Sequence, residues 1–325
     1  MASELDMSKG RAAIAFTGQT PWHGLGSQLT EDAPLEVWKT EAGMDFDVLE
    51  SPVAYAAPAL GELPPRNLIF PAKKALYRSD DHAPLSIVGT GFKVVQPTEV
   101  LEFFRDLLAN NNMKMSTAGV LFGGRRFWAM AELDKSDYIV DGDRILGKLL
   151  LTTAVDGSLA TTAKFVSERV VCNNTLTIAM NESTKNVVRV VHSTEWDATK
   201  VKIDLGLIDS AWEKFITDMR KLAMVQISDQ DAKSYYQKKF YDKKLDANEQ
   251  TWGTIKKVND LMDLLKNGAG SDLSRGTRWG VVNAVTDLYT HGNGRKQDPS
   301  NKFWSAFYES DKIKQEVVDD MLALS

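Results

Sequence analysis

Apolar runs bounded by turn residues dominate the first half of the chain, and a 3.6-residue apolar period dominates the second. The stretch that organises the rest is Lys148 to Met180. Leu149 to Val155 is an apolar run suited to a strand, Asp156-Gly157 supplies the positive φ of a tight turn, and Leu159 to Val166 reads as the returning strand. On that strand Leu159, Thr161, Ala163 and Phe165 share one face, and Ala160, Thr162, Lys164 and Val166 share the other, where Lys164 is the only charge. A helix is predicted to start near Ser167, which can cap it ahead of Glu168, with Val170, Val171, Leu176, Ile178 and Ala179 as apolar contacts. Arg169 and Asn173 then fall on one helical face with Asn174 beside them, although Thr175 to Ile178 alternates as a strand does.

Before this core the pattern predicts a short helix at Leu35 to Ala42 and a strand around Phe46 to Ser51. Pro52 to Pro71 holds five of the ten prolines and reads as short strands broken by loops. Strands are expected at Lys73 to Arg78 and Leu85 to Val95, then a helix opening at Pro97 with Val100, Leu101, Phe103, Phe104, Leu107 and Leu108 as its apolar side. Met115 to Leu121 and Arg126 to Leu133, joined at Gly123-Gly124, form a further hairpin, and Val187 to His192 is a last short strand. Helices follow around Ile208 to Ala223, from a Ser228 cap through Tyr241, from Glu249 to Lys266, through Val281 to Tyr289, and at Ile313 to Leu324. The predicted fold class is α+β: an N-terminal antiparallel sheet with packed helices over residues 1–194, built on a β-hairpin–helix core, followed by a helical C-terminal domain over residues 195–325.

Composition narrows the function classes. With 43% hydrophobic and 26% charged residues over 325 positions the chain reads as globular, and no apolar run approaches the length of a membrane span. No signal-peptide layout is visible, and the single cysteine, Cys172, sits after two valines as a small hydrophobe, in keeping with a reducing cytoplasm. The net charge of -5 argues against a strongly basic nucleic-acid binder, yet a local basic groove can hold phosphates on an acidic protein.

No metal, nucleotide, nucleophile-elbow or calcium-loop motif occurs, so no cofactor is expected. His23, His82, His192 and His291 are far apart in sequence. Candidate binding residues are Arg125 and Arg126 at the hairpin turn beside Phe127 and Trp128, where guanidinium groups suit phosphate contact and rings suit base stacking. Lys164, Arg169, Asn173, Asn174 and Arg189 extend the same polar surface. Lys238, Lys239, Lys243 and Lys244 interleave with aromatic residues, a pattern that fits either a nucleic-acid surface or a solvated helix face with buried rings.

Four stretches, PWHGLG from Pro21, VGTGFKVVQ from Val88, RVVCNNTL from Arg169 and GTRWGVVNAVTD from Gly276, resemble the phage/plasmid-like protein family classed as a domain of unknown function. The resemblance implies a phage, prophage or plasmid setting inside a bacterial host cell. In architecture the hairpin with its basic and aromatic neighbours also resembles the core of phage single-strand annealing proteins of the RecT and Red-beta types. That likeness implies ATP-independent binding and annealing of single-stranded DNA by a homo-oligomer, as a ring or filament. The alternatives are a protein that binds a host factor, and a hydrolytic enzyme using His23 or His192.

Overall fold

The computed structural model describes residues 11–18, 26–110, 113–171, 174–177, 187–205, 209–246, 249–292 and 310–324. It is a mixed α+β structure with antiparallel sheets. The chain divides into two compact units that alternate along the sequence. The first draws on Met1–Glu132, Leu149–Lys164 and Val187–Gly206, and the second on Leu133–Lys148, Phe165–Asn186 and Leu207–Ser325.

In the first unit, β1 (Ile14–Thr17) pairs parallel with β2 (Ser27–Leu29) and antiparallel with β6 (Lys114–Leu121). β6 pairs with β7 (Arg126–Tyr138), and the order continues through β8 (Arg144–Ala154) to β9 (Thr161–Arg169), on which β11 (Val187–Val190) also pairs; β7, β8 and β9 each have part of their length in the second unit's segments. Phe127 to Ala131 are all buried, so this part of β7 is covered on both faces and loses the in–out alternation of a half-exposed strand. Trp128 lies opposite Gly119, where an added Cβ would sit 2.3 Å from the indole, so only glycine lets that ring lie flat on β6. Helix α1 (Leu35–Glu41) packs on α2 (Pro97–Asn110), which buries Val100, Leu101, Phe103 and Phe104 as the sequence period predicts. Pro97 opens α2, and the Gln96 amide donates to the Glu99 carboxylate at 2.7 Å, satisfying one of the free donors at that end. Helix α3 (Ala198–Leu205) closes the unit.

A separate three-stranded sheet has the order β3 (Val48–Ala57), β4 (Arg66–Arg78), β5 (Pro84–Gly89). The proline-rich stretch is therefore a continuous ribbon and not a set of broken strands. Its prolines stand at strand ends or at the register shift after Pro52, positions where a missing amide costs little.

In the second unit, β10 (Asn174–Thr177) returns antiparallel along Val166–Arg169. This replaces the helix expected from Ser167. The alternation at Thr175 to Ile178 was the decisive signal, and the Ser167 hydroxyl donates to the Leu176 carbonyl at 3.1 Å instead of capping a helix. Among the described residues the hairpin–helix core is thus a run of strands, and Ile178 and Ala179 lie outside them. Helices α4 (Asp209–Met224), α5 (Asp229–Phe240), α6 (Trp252–Asn267), α7 (Arg278–Asp287) and α8 (Asp311–Ala323) complete the unit. Helix α7 buries every residue from Trp279 to Thr286 against α4, α6, α8 and β10, as expected of a helix apolar on all sides. Side-chain caps from Ser228, Thr251 and Thr277 start α5, α6 and α7. No helix among the described residues is long and apolar enough to cross a membrane.

Candidate nucleic-acid interface

The turn between β6 and β7 is the site's centre. Phe122 has φ of 56°, followed by Gly123 at 65° and Gly124 at 102°. A left-handed aromatic residue is unusual, because its Cβ crowds the following carbonyl, so the surrounding structure must hold it there. The Phe122 ring carries the Arg126 guanidinium 4.3 Å from its centroid and the Arg125 guanidinium at 5.8 Å. Arg125 also donates from Nε to the Phe122 carbonyl at 3.0 Å, and its side chain is exposed. Arg126 reaches the neighbouring Asp156-Gly157 turn, donating from Nε to Ser158 Oγ at 3.1 Å, with Asp156 Oδ2 at 3.8 Å. The Val155 amide donates to the Arg125 carbonyl at 2.8 Å. Two turns are therefore clamped together, with the Arg125 side chain exposed and the Arg126 side chain, 19% exposed, held between them. Arg189 lies on β11 opposite Thr162 and is exposed.

The other expected contacts are placed differently. Phe127 and Trp128 are each 1% exposed, so neither ring can stack on a base; Phe127 packs edge-on to Phe46 at 6.0 Å. Lys164 is likewise buried, on β9 opposite Val187. Asn174 opens β10 opposite Arg169 in the backbone register, and Asn173 and His23 lie outside the described residues.

Arg169 is buried for a structural reason. Its Nε and Nη2 donate to the two oxygens of Asp143 at 2.6 and 2.8 Å, and Nη2 also donates to the Gly270 carbonyl at 2.9 Å. Trp279 adds its indole N–H to Asp143 Oδ2 at 2.9 Å. Asp143 is 0% exposed, so this carboxylate is stabilised by three directed donors in place of water. Arg169 and Trp279 come from two of the four stretches that carry the family resemblance, and here they meet on one internal carboxylate. Sequence reasoning missed Asp143 altogether. It also passed over Phe122, whose only signal was an aromatic residue directly before Gly-Gly-Arg-Arg.

The Nδ1 and Nε2 atoms of His192 face the carbonyl oxygens of Lys93 and Leu159 at 3.0 and 2.9 Å, and the ring stacks on Phe92 at 4.2 Å. In the second unit, Lys238, Lys239 and Lys243 line a cleft of about 380 Å³ with Tyr235 and Asp320. Lys239 is tied to Asp320 at 2.9 Å and to Glu316 at 3.0 Å, and Tyr236 is buried with its hydroxyl donating to the Val281 carbonyl. Burial works to raise the Asp320 carboxyl, but hydrogen bonds from Lys239 and Tyr235 and the nearby lysine charges outweigh it, leaving it below the ordinary carboxylate value.

These features define a mixed α+β protein whose surviving candidate surface is a strained, arginine-bearing turn. The chain belongs to the family described as a domain of unknown function, DUF932, whose model matches residues 84–307. Membership in a family of unknown function is what the four stretches led us to expect. No curated protein and no solved structure matches the chain.

Proposed function

We propose that this protein binds single-stranded DNA and promotes annealing of complementary strands without ATP, working as a homo-oligomer in the cytoplasm of a bacterial host to a phage or plasmid. The observation that carries the reading is the β6–β7 turn: a left-handed Phe122 whose ring carries the guanidinium groups of the exposed Arg125 and the half-buried Arg126 beside a clamped pair of turns. Strain of this kind persists only where the surrounding contacts over-determine it, and it concentrates at binding surfaces. Arg125, Arg126 and Arg189 contact phosphates in this reading, and phosphate contact needs no base-specific groups. An acidic chain suits a strand that must be released after pairing, because the charge holding it is confined to a few arginines.

The test is anisotropy of a labelled single-stranded oligonucleotide at several salt concentrations, with a duplex control and an annealing readout. The triple variant Arg125→Ala, Arg126→Ala, Arg189→Ala should weaken binding. It should also flatten the salt dependence by about two units of log K per log salt, at roughly 0.7 per lost phosphate contact on a single strand. Unchanged affinity and slope, or no binding by the native protein at low salt, would overturn the reading.

A further inference from the structure

The lysines that interleave with aromatic residues around α5 have no part in the turn described above. Three of them, Lys238, Lys239 and Lys243, line the cleft of about 380 Å³ in the second unit. That volume falls at the lower end of small-ligand sites, roughly 300–1,000 Å³. Lys239 is committed to the fold, pairing with Asp320 at 2.9 Å and with Glu316 at 3.0 Å, and Lys312 approaches Glu316 at 3.9 Å. Two cations and two carboxylates balance within that network. The Tyr235 hydroxyl donates to Asp320 at 2.8 Å and so fixes its ring in the cleft wall. Lys238 and Lys243 are exposed, and among the described residues neither forms an ion pair or donates a side-chain hydrogen bond. The end of α8 does not require them, because Arg278 donates to the Met321 and Leu324 carbonyls there. Lys238 sits in the last turn of α5, where the helix dipole favours a cation, but Lys243 lies beyond the helix and has no such reason to be there.

We propose that this cleft binds a small organic phosphate, a phosphomonoester whose charge meets Lys238 and Lys243 and whose apolar body lies on Tyr235, Ala323 and Leu324. Charge selects the phosphate. A phosphomonoester carries roughly −1.5 to −2 at neutral pH, which two ammonium groups match. A carboxylate carries a single charge and would leave one lysine without a counterpart. Volume and lining select the organic body. A bare phosphate ion would leave most of the cleft unfilled, and the Tyr235, Ala323 and Leu324 side chains offer it nothing to bond. Ligand sites of this kind are largely apolar, with a few polar groups that fix orientation. Here Lys238 and Lys243 are those groups, while Lys239 and Asp320 hold the wall together. The turn at Phe122 belongs to the first unit and this cleft to the second, and the inference stands independently of DNA binding.

The experiment is a titration of the full chain with adenosine monophosphate at low salt, followed by calorimetry, with adenosine and inorganic phosphate titrated alongside. The monophosphate should bind at millimolar concentration or below, and each half alone should bind roughly tenfold more weakly or worse. Lys238→Gln with Lys243→Gln should weaken the monophosphate by roughly tenfold or more. The thermal midpoint of that variant should be unchanged, because both side chains are exposed. Lys244→Gln, outside the lining, and the triple arginine variant should bind the monophosphate as the native protein does. The proposal is overturned if the native protein does not bind the monophosphate, or binds adenosine or inorganic phosphate as tightly. Undiminished affinity in the double lysine variant overturns it too. Loss of single-stranded DNA binding in the triple arginine variant would bear on the functional reading alone.

Discussion

Replacing Arg169 separates a structural residue from a binding one. Arg169→Met keeps much of the side-chain length but leaves the fully buried Asp143 carboxylate with one donor, the Trp279 indole, where it had three. Breaking a buried ion pair by removing one partner costs about 3–5 kcal/mol, because the charge left behind is neither hydrated nor paired. Trp279→Phe should cost less, about 1.5–3 kcal/mol for one hydrogen bond to a charged acceptor. The double variant Asp143→Leu, Arg169→Met removes both charges and should regain at least half of what Arg169→Met loses, since a buried pair and an apolar filling are often close in free energy. Urea unfolding followed by tryptophan fluorescence and far-ultraviolet dichroism reads all three, and Trp279 reports on the site itself in the two variants that keep it. If Arg169→Met unfolds within about 1 kcal/mol of the native protein while its DNA affinity collapses, the assignment of Arg169 to the interior is refuted. The expected result is a large loss of stability, with the folded fraction binding single strands as before.

Two further outcomes follow from the packing and the charges. Gly119→Ala places a methyl 2.3 Å from a Trp128 ring that is itself 1% exposed, so the ring cannot give way without moving the strand. A loss of roughly 1–3 kcal/mol in urea unfolding is expected, and an unchanged midpoint would mean that the ring does not lie on β6 as described. The Asp320 carboxyl has a folded-state pKa below the ordinary 3.8, so its stabilising contribution is fully present above that value and is lost as pH falls through the lowered one. Asp218 behaves alike: burial works to raise it, and Lys214 and Lys221 lower it further than burial raises it. Acid unfolding of the native protein should therefore continue below about pH 4, and Asp320→Asn should reduce that acid sensitivity, measured as the thermal midpoint against pH; an identical pH profile in the variant would refute the role given to Asp320.

What the sequence made legible, and what it did not, divides along the range of the interactions concerned. The Asp156-Gly157 turn, the Pro97 start of α2, the Ser228 cap of α5 and the apolar stripes of α4 and α6 are written in neighbouring residues, so pattern reading finds them. Lys164, Phe127 and Trp128 were misplaced because alternation distinguishes inside from outside only when one face of a strand meets water, and these strands are buried on both. Arg169 was misplaced for a different reason. A charged residue beside asparagines looks like a ligand-facing cluster until its partner is known, and Asp143 lies 26 residues away with no local mark of the pairing. The resemblance motifs sharpen the point. RVVCNNTL supplies Arg169 and GTRWGVVNAVTD supplies Trp279, yet the carboxylate that joins them belongs to neither stretch. Each of those two motifs contributes one residue to a single internal polar contact of the fold. On the function proposed above, the chemistry that the protein offers to a partner lies instead at the turn that begins at Phe122, where a left-handed aromatic ring carries two guanidinium groups.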